Sequence, residues 1–228
     1  ALSLHIKFSS MSIAENIQNI NAEIPEHVTL VAVSKTKPIS DITEAYEGGQ
    51  RVFGENKIQE MASKFEELPK DIQWHMIGHV QTNKIKYMAP FVSLVHGVDR
   101  EKVLKELNKQ AVKNERIIDC LLQVHIAKED TKFGFDEDEL IELTERLDSY
   151  SNIKVVGLMG MATNTNDKTQ IKQEFEGLHT AFQALRKKLG EDFDTISMGM
   201  SGDYHLAIEV GSNMIRVGSS IFGARNYA

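Results

Sequence analysis

A single cysteine, Cys120, stands in a chain of 228 residues, so no disulfide can form within it. That scarcity fits a reducing compartment. Cys120 lies inside the apolar run Ile117-Ile-Asp-Cys-Leu-Leu-Gln-Val124, where a lone cysteine reads as a small core hydrophobe. No apolar run reaches the ~20 residues that a membrane-spanning helix requires. The first ten residues lack the charged start and long apolar centre of a secretory signal. They read as a tag remnant or short extension ahead of Met11, so fold reasoning is confined to residues 11–228. The expected address is the cytoplasm. Prolines number only four. No Pro-rich or Gly/Ser-rich linker and no low-complexity tract divides the chain, which points to a single domain. Excess positive charge is also lacking: the formal net charge is −7, a field that repels nucleic acid and acidic membranes.

What the chain does have is regular alternation. Short apolar or β-branched runs are each followed by a stretch of helical periodicity. The expected strands are Thr29–Val33, Arg51–Phe53, Gln73–Ile77, Val92–His96, Ile117–Ile126, Val155–Met161, Thr195–Met198 and Met214–Val217. Helices are expected at Ile39–Glu47, Lys57–Phe65, Lys84–Met88, Glu101–Lys113, Glu137–Leu147, Thr169–Leu189 and Tyr204–Val210, with an additional one over Ser12–Asn21. Asp203 is expected to cap the start of the last, and Gly211 to end it. This order predicts a (β/α)8 TIM barrel carrying an extra N-terminal helix. A doubly wound open sheet is the alternative, because periodicity does not distinguish closure from openness.

A barrel places its chemistry where strands run into the following loops. Ser34 and Lys35, Glu55 and Asn56, Gly78 and His79, Lys128 to Lys132, Ser201, and Gly218 with Ser219 and Ser220 occupy those positions. Ser201-Gly202 opens a helix after the seventh strand, and Gly218 lets a backbone N–H approach a ligand after the eighth. Loops seven and eight are where barrels often bind phosphate, although serine and glycine also build ordinary turns. Side chains alternate along a strand, so Val31, Val33 and Lys35 share a face. If the valines fill the interior, Lys35 emerges at the mouth, where desolvation favours the neutral amine that attacks carbonyls. A lysine above a phosphate site allows an aldolase, a phosphosugar enzyme or a pyridoxal phosphate protein. His75 and His79 have i, i+4 spacing but no third ligand at a recognisable spacing, so no metal is expected.

Six ordered motifs narrow the choice. They are Val31-Ala-Val-Ser-Lys-Thr-Lys-Pro38, Phe53-Gly-Glu-Asn56 with Gln59-Glu60, Trp74-His-Met-Ile-Gly-His-Val-Gln-Thr-Asn-Lys84, Gly157-Leu-Met159, Gly199-Met-Ser-Gly-Asp203 and Arg216-Val-Gly-Ser-Ser-Ile-Phe-Gly-Ala-Arg225. From about Met11 to its end the chain resembles the YggS/PROSC family of pyridoxal phosphate homeostasis proteins, whose barrel is similar to the alanine racemase N-terminal domain. The resemblance implies that Lys35 forms a Schiff base with pyridoxal 5′-phosphate. It also implies that Ser201, Gly218 and Ser219 bind the phosphate, that Arg216 faces the pyridine nitrogen, and that Asn56 lines the pocket wall. Lys132 falls where racemases carry an arginine near the phenolic oxygen.

An arginine stays protonated and donates to the ring nitrogen, which keeps that nitrogen from taking its own proton. The ring is then a poor electron sink for a carbanion, while imine exchange needs no such sink. Racemisation also needs a second acid/base group on the opposite face, supplied in alanine racemase by a second domain and its dimer partner. The last expected strand ends at Val217 in a chain of 228 residues. The expectation is therefore a monomeric, non-enzymatic carrier for intracellular vitamin B6 homeostasis that hands its cofactor to apoenzymes. A pyridoxal phosphate-dependent, racemase-like amino-acid enzyme is the alternative.

Overall fold

The structure, a computed structural model, describes residues 10–130 and 133–224. Eight described strands run parallel: β1 (Thr29–Val33), β2 (Val52–Glu55), β3 (Gln73–Met76), β4 (Leu94–Val98), β5 (Ile118–Gln123), β6 (Ile153–Met159), β7 (Thr195–Met200) and β8 (Met214–Val217). Each pairs with its successor, and β8 returns to β1 with Thr29 opposite Met214 and Val31 opposite Arg216. That pairing closes the barrel and removes the open sheet from consideration.

The helices are α1 (Ile13–Glu23), α2 (Ile39–Glu47), α3 (Ile58–Glu67), α4 (Ile85–Met88), α5 (Glu101–Lys113), α6 (Glu137–Thr144), α7 (Lys168–Leu189), α8 (Tyr204–Val210) and α9 (Ser219–Phe222). Local chemistry sets several ends. Ser12 and Glu15 form a reciprocal capping box at the start of α1, and Asp136 with Glu139 does so for α6. Gly211, at φ 126°, ends α8 as expected. Asp203 holds the N-cap position of α8, but its side chain makes no capping hydrogen bond. Its carboxylate instead accepts the Met200 N–H at 2.7 Å, tightening the loop after β7. The fifth strand stops at Gln123, short of the expected Ile126; Val124 still donates to Met159 O at 2.9 Å and forms an isolated bridge to Phe135. No helix among the described residues is long and apolar enough to cross a membrane.

Alternation along the strands sorts two cores. Ala32, Phe53, Trp74, Met76, Val95, Cys120, Leu122, Leu158, Ile196, Met198 and Ile215 face the helices. Val31, Leu94, Leu121, Val156, Met159 and Met214 pack within the barrel. Cys120 is fully buried in the outer layer, and burial pushes its thiol up, so it acts as a hydrophobe. The same parity places His75, between Trp74 and Met76, and Ser197, between Ile196 and Met198, in the interior, together with His96 and Arg216.

Two glycines make opposite predictions. Gly157 on β6 lies opposite Thr195 of β7, and a Cβ there would overlap the Thr195 carbonyl oxygen. Gly157→Ala is expected to lose about 3 kcal/mol through strand displacement, lowering Tm by about 6–12 °C for a chain of this size. Gly177, inside α7, has nothing within 4 Å of such a Cβ. Gly177→Ala is expected to stabilise by about 0.5–1 kcal/mol. Thermal melts of the two variants check both signs.

Candidate functional site

The loop after β1 is pinned from outside the barrel. Thr36 takes a left-handed conformation, φ 64°, which a β-branched residue adopts only when its surroundings impose it. Its N–H donates to Glu60 Oε1 at 2.6 Å, and the Lys37 N–H closes a turn onto Ser34 O at 3.1 Å. Lys64 of α3, itself buried, donates to Ser34 O at 2.8 Å, to Glu60 at 2.9 Å, and to Glu55.

Two expected members of the mouth therefore do not belong to it. Ser34 and Glu55 point into the layer between barrel and helices, where the Ser34 hydroxyl donates to Glu55 Oε1 at 2.9 Å. Each follows an inward residue, so the alternation turns it outward. Burial raises the Glu55 carboxyl to about 7 despite the opposing pull of Lys64.

On the inner side a cavity of about 420 Å³ opens at the C-terminal end of the barrel. Lys35, Asn56, Ser201, Arg216, Gly218 and Ser219 all line it. The Gly218 N–H donates to Ser201 Oγ at 3.3 Å, tying the loops after β7 and β8 together. Gly78 permits the close approach of the β2 and β3 loops, since a Cβ there would overlap the Asn56 carbonyl. Arg216 is 3% exposed. Its Nη2 donates to Gly160 O at 3.2 Å and its Nη1 to Ser197 Oγ. Burial lowers the guanidinium to about 10, with Asp203 opposing, so it stays charged at neutral pH. Lys132 lies outside the described residues, as do residues 1–9 and Arg225.

His79 stands at the mouth, at the strand end where the sequence put it, whereas Phe133 and Gln123 line the cavity without having been singled out. His79 and Phe133 stack with ring centroids 4.1 Å apart at the rim. His79 Nδ1 lies 2.8 Å from Asp99 Oδ2, and Asp99 Oδ1 receives Arg100 at 2.6 Å. The Asp99-Arg100 dipeptide immediately after a strand was the available signal. Gln123, Met161 and Met200 complete that side.

The donor set can be tested against a cofactor. An aldehyde needs an amine, and Lys35 is half-buried in the cavity. A phosphate needs hydroxyl and unhindered backbone donors, and Ser201, Gly202, Gly218 and Ser219 cluster at one end. An aromatic ring needs apolar walls, which Val33, Ile77 and Met161 provide. The residues fit pyridoxal phosphate.

The family model of the alanine racemase N-terminal domain matches residues 9–226. The pyridoxal phosphate homeostasis protein of Vibrio alginolyticus is 41% identical over 232 residues, covering 95% of this chain and 99% of the relative. The chain belongs to this family. A second family member, from Pasteurella multocida, is 38% identical over 223 residues, covering 95% and 96%. Among solved structures, PipY of Synechococcus elongatus PCC7942 with pyridoxal phosphate bound superposes with a TM-score of 0.86 at 32% identity, over 93% of this chain and all of PipY. The alanine racemase of Bartonella henselae shares the fold at TM-score 0.72 and 14% identity, with 60% of that enzyme covered. The family's barrel is thus the racemase N-terminal barrel.

Proposed function

We propose that this protein binds pyridoxal phosphate in the cavity at the C-terminal end of its barrel, holds it as a Schiff base on Lys35, and serves intracellular supply of that cofactor. The observation that carries the reading is the meeting of Lys35, Arg216 and the Ser201–Gly218–Ser219 cluster in one cavity of about 420 Å³. PipY, of the same fold and 32% identical, binds this cofactor. When bound, the cofactor supplies an aldehyde that links reversibly to amines. Ser201 and the backbone of Gly218 and Ser219 take the phosphate, and Asn56 lines the wall. Arg216, charged and fixed by Ser197 and Gly160, donates toward the ring nitrogen and leaves that nitrogen without a proton.

Such an arrangement favours holding and releasing the cofactor over turning substrates over. The relatives named above are homeostasis proteins, in keeping with a carrier that passes its cofactor to apoenzymes. A cytoplasmic monomer suits that role. A racemase-like enzyme is the second reading, because the His79–Asp99 pair puts an acid/base group at the rim.

One experiment sorts these readings. Pyridoxal phosphate is added to the purified protein, the visible spectrum is followed, and borohydride fixes the adduct for peptide mapping. A new band and a fixed mass on the peptide holding Lys35 are expected; no band, or a label elsewhere, would reject the assignment. Amino acids incubated with the loaded protein in deuterated water should keep their α-protons, and rapid exchange would favour the racemase reading.

A further inference from the structure

Four polar side chains stand in a row through the barrel interior, and the cavity chemistry above leaves the first two unused. They come from four strands: His75 on β3, His96 on β4, Ser197 on β7 and Arg216 on β8. All four are buried, His96 and Ser197 completely. His75 Nδ1 lies 2.9 Å from His96 Nε2, and His96 Nδ1 lies 2.9 Å from Ser197 Oγ. Arg216 Nη1 reaches the same Ser197 oxygen.

We infer that His75, His96 and Ser197 form a one-way hydrogen-bond relay through the barrel that positions the Arg216 guanidinium on the cavity floor and carries its state to the opposite end. Arginine has donors only, which fixes the first bond, and in this row the Ser197 hydroxyl has His96 Nδ1 as its one acceptor, which sets the direction of the rest. Ser197 Oγ accepts from Arg216, so its hydroxyl proton goes to His96 Nδ1. His96 Nδ1 therefore accepts, its proton sits on Nε2, and that N–H donates to His75 Nδ1. His75 in turn carries its own proton on Nε2.

The far end of the relay lies beside a second cavity, about 350 Å³, at the N-terminal mouth of the barrel. His75 lines it together with Asp119, Lys154, Asp192 and Asp194. Both rings are neutral. Burial lowers the His75 imidazole to about 3. Burial, then His75, then Arg216 hold His96 well below its ordinary value. Bonds in such a row polarise one another, and in a water-poor interior a broken link leaves buried groups unpaired. Removing Ser197 Oγ strips Arg216 Nη1 and His96 Nδ1 of their partner together. The coupling to the cofactor rests on the function proposed above; the relay itself does not.

The test uses ¹⁵N-histidine-labelled protein without ligand, with long-range ¹H–¹⁵N spectra recorded from pH 5 to 8. His75 and His96 are expected in the Nε2–H tautomer at every pH, with no titration. Either ring as the Nδ1–H tautomer, or titrating in that range, would overturn the relay. Adding pyridoxal phosphate is expected to shift the His75 nitrogens although they lie at the other end of the row. Ser197→Ala is expected to move the His96 Nδ1 resonance and to weaken pyridoxal phosphate binding roughly ten-fold or more. Ser197→Thr, which keeps the hydroxyl, is expected to restore both. A Ser197→Ala protein unchanged in both readouts would contradict the positioning role. If the tautomers are as assigned but pyridoxal phosphate does not bind, the cofactor reading fails and the relay stands.

Discussion

Lys35→Ala is expected to abolish the visible pyridoxal phosphate band and the borohydride-fixed adduct completely, while Lys37→Ala keeps both. The two lysines are two residues apart and line the same cavity, so the contrast isolates position from composition. Val31 packs within the barrel and Val33 lines the cavity, so the amine of Lys35 is the next inward group along β1. Thr36 then leaves the extended conformation at φ 64°, and the alternation ends there. Beyond that turn Lys37 Nζ is directed to the chain end, donating to Phe222 O at 3.3 Å and Ala224 O at 3.4 Å. The Lys35→Ala fold should survive with Tm within about 2 °C, since a half-buried strand-end lysine contributes little to packing. A fixed adduct that persists in Lys35→Ala and vanishes in Lys37→Ala would reverse the assignment.

Acid is expected to destabilise the protein in two stages. His75 and His96 have folded values held below their ordinary 6.5, that of His75 at about 3. A depressed base contributes stability above its unfolded value and loses it as pH falls. Each such histidine costs ~1.4 kcal/mol per pH unit below 6.5. Glu55 acts in the opposite sense. Its value is raised from 4.5 to about 7, so its contribution is full below 4.5 and fades as pH rises through 7.

From about pH 6.5 to 4.5 the two histidines and Glu55 partly cancel, for a net loss of ~3 kcal/mol. Below 4.5 Glu55 is protonated in both states, and the loss steepens to ~2.7 kcal/mol per pH unit. The loss reaches ~6 kcal/mol near pH 3.5, enough to consume the lower end of an ordinary domain stability of about 5–15 kcal/mol. Urea unfolding at pH 7, 5.5, 4.5 and 4 measures the curve. Glu55→Gln removes the opposing slope, so the loss between pH 6.5 and 4.5 should roughly double. A stability that instead rises by ~3 kcal/mol as the pH falls over that interval, the slope of Glu55 alone, would show that the histidines are charged in the folded state.

Much of the architecture was legible because it is local. The first strand, Thr29–Val33, and the last, Met214–Val217, lie where their β-branched and apolar runs put them. The helices over Ile39–Glu47, Glu101–Lys113 and Tyr204–Val210 match their periodicity to the residue. Boundaries drifted where a run of apolar residues outlasts its pairing. Apolar content continues from Ile117 to Ile126, but bonding to β6 ends with the Val124 N–H on Met159 O, and the His125 N–H already goes to Phe135 O. The short α9 after Gly218 has too few residues for a periodic signal and was missed. At the site, Lys35, Asn56, Ser201, Gly218 and Ser219 meet in one cavity, as their places at strand ends suggested, together with Arg216, which the family resemblance alone had singled out. Ser34 and Glu55 stood at equally suggestive places and turned the other way, because each follows an inward residue and the alternation sends it to the outer layer.

By itself, then, the sequence determined the alternating order of elements, the inward parity that leads from Val31 to Lys35, and the glycine- and serine-rich loops after the last two strands. Each of these is set within a few residues by periodicity and turn chemistry. Only the tertiary structure decided that β8 closes onto β1, that Glu55 meets Lys64 outside the barrel, that His79 pairs with Asp99, and that His75, His96, Ser197 and Arg216 align through its interior. Those contacts join residues up to 185 positions apart. Strand register and barrel curvature across the whole sheet bring them together, and no local pattern encodes either.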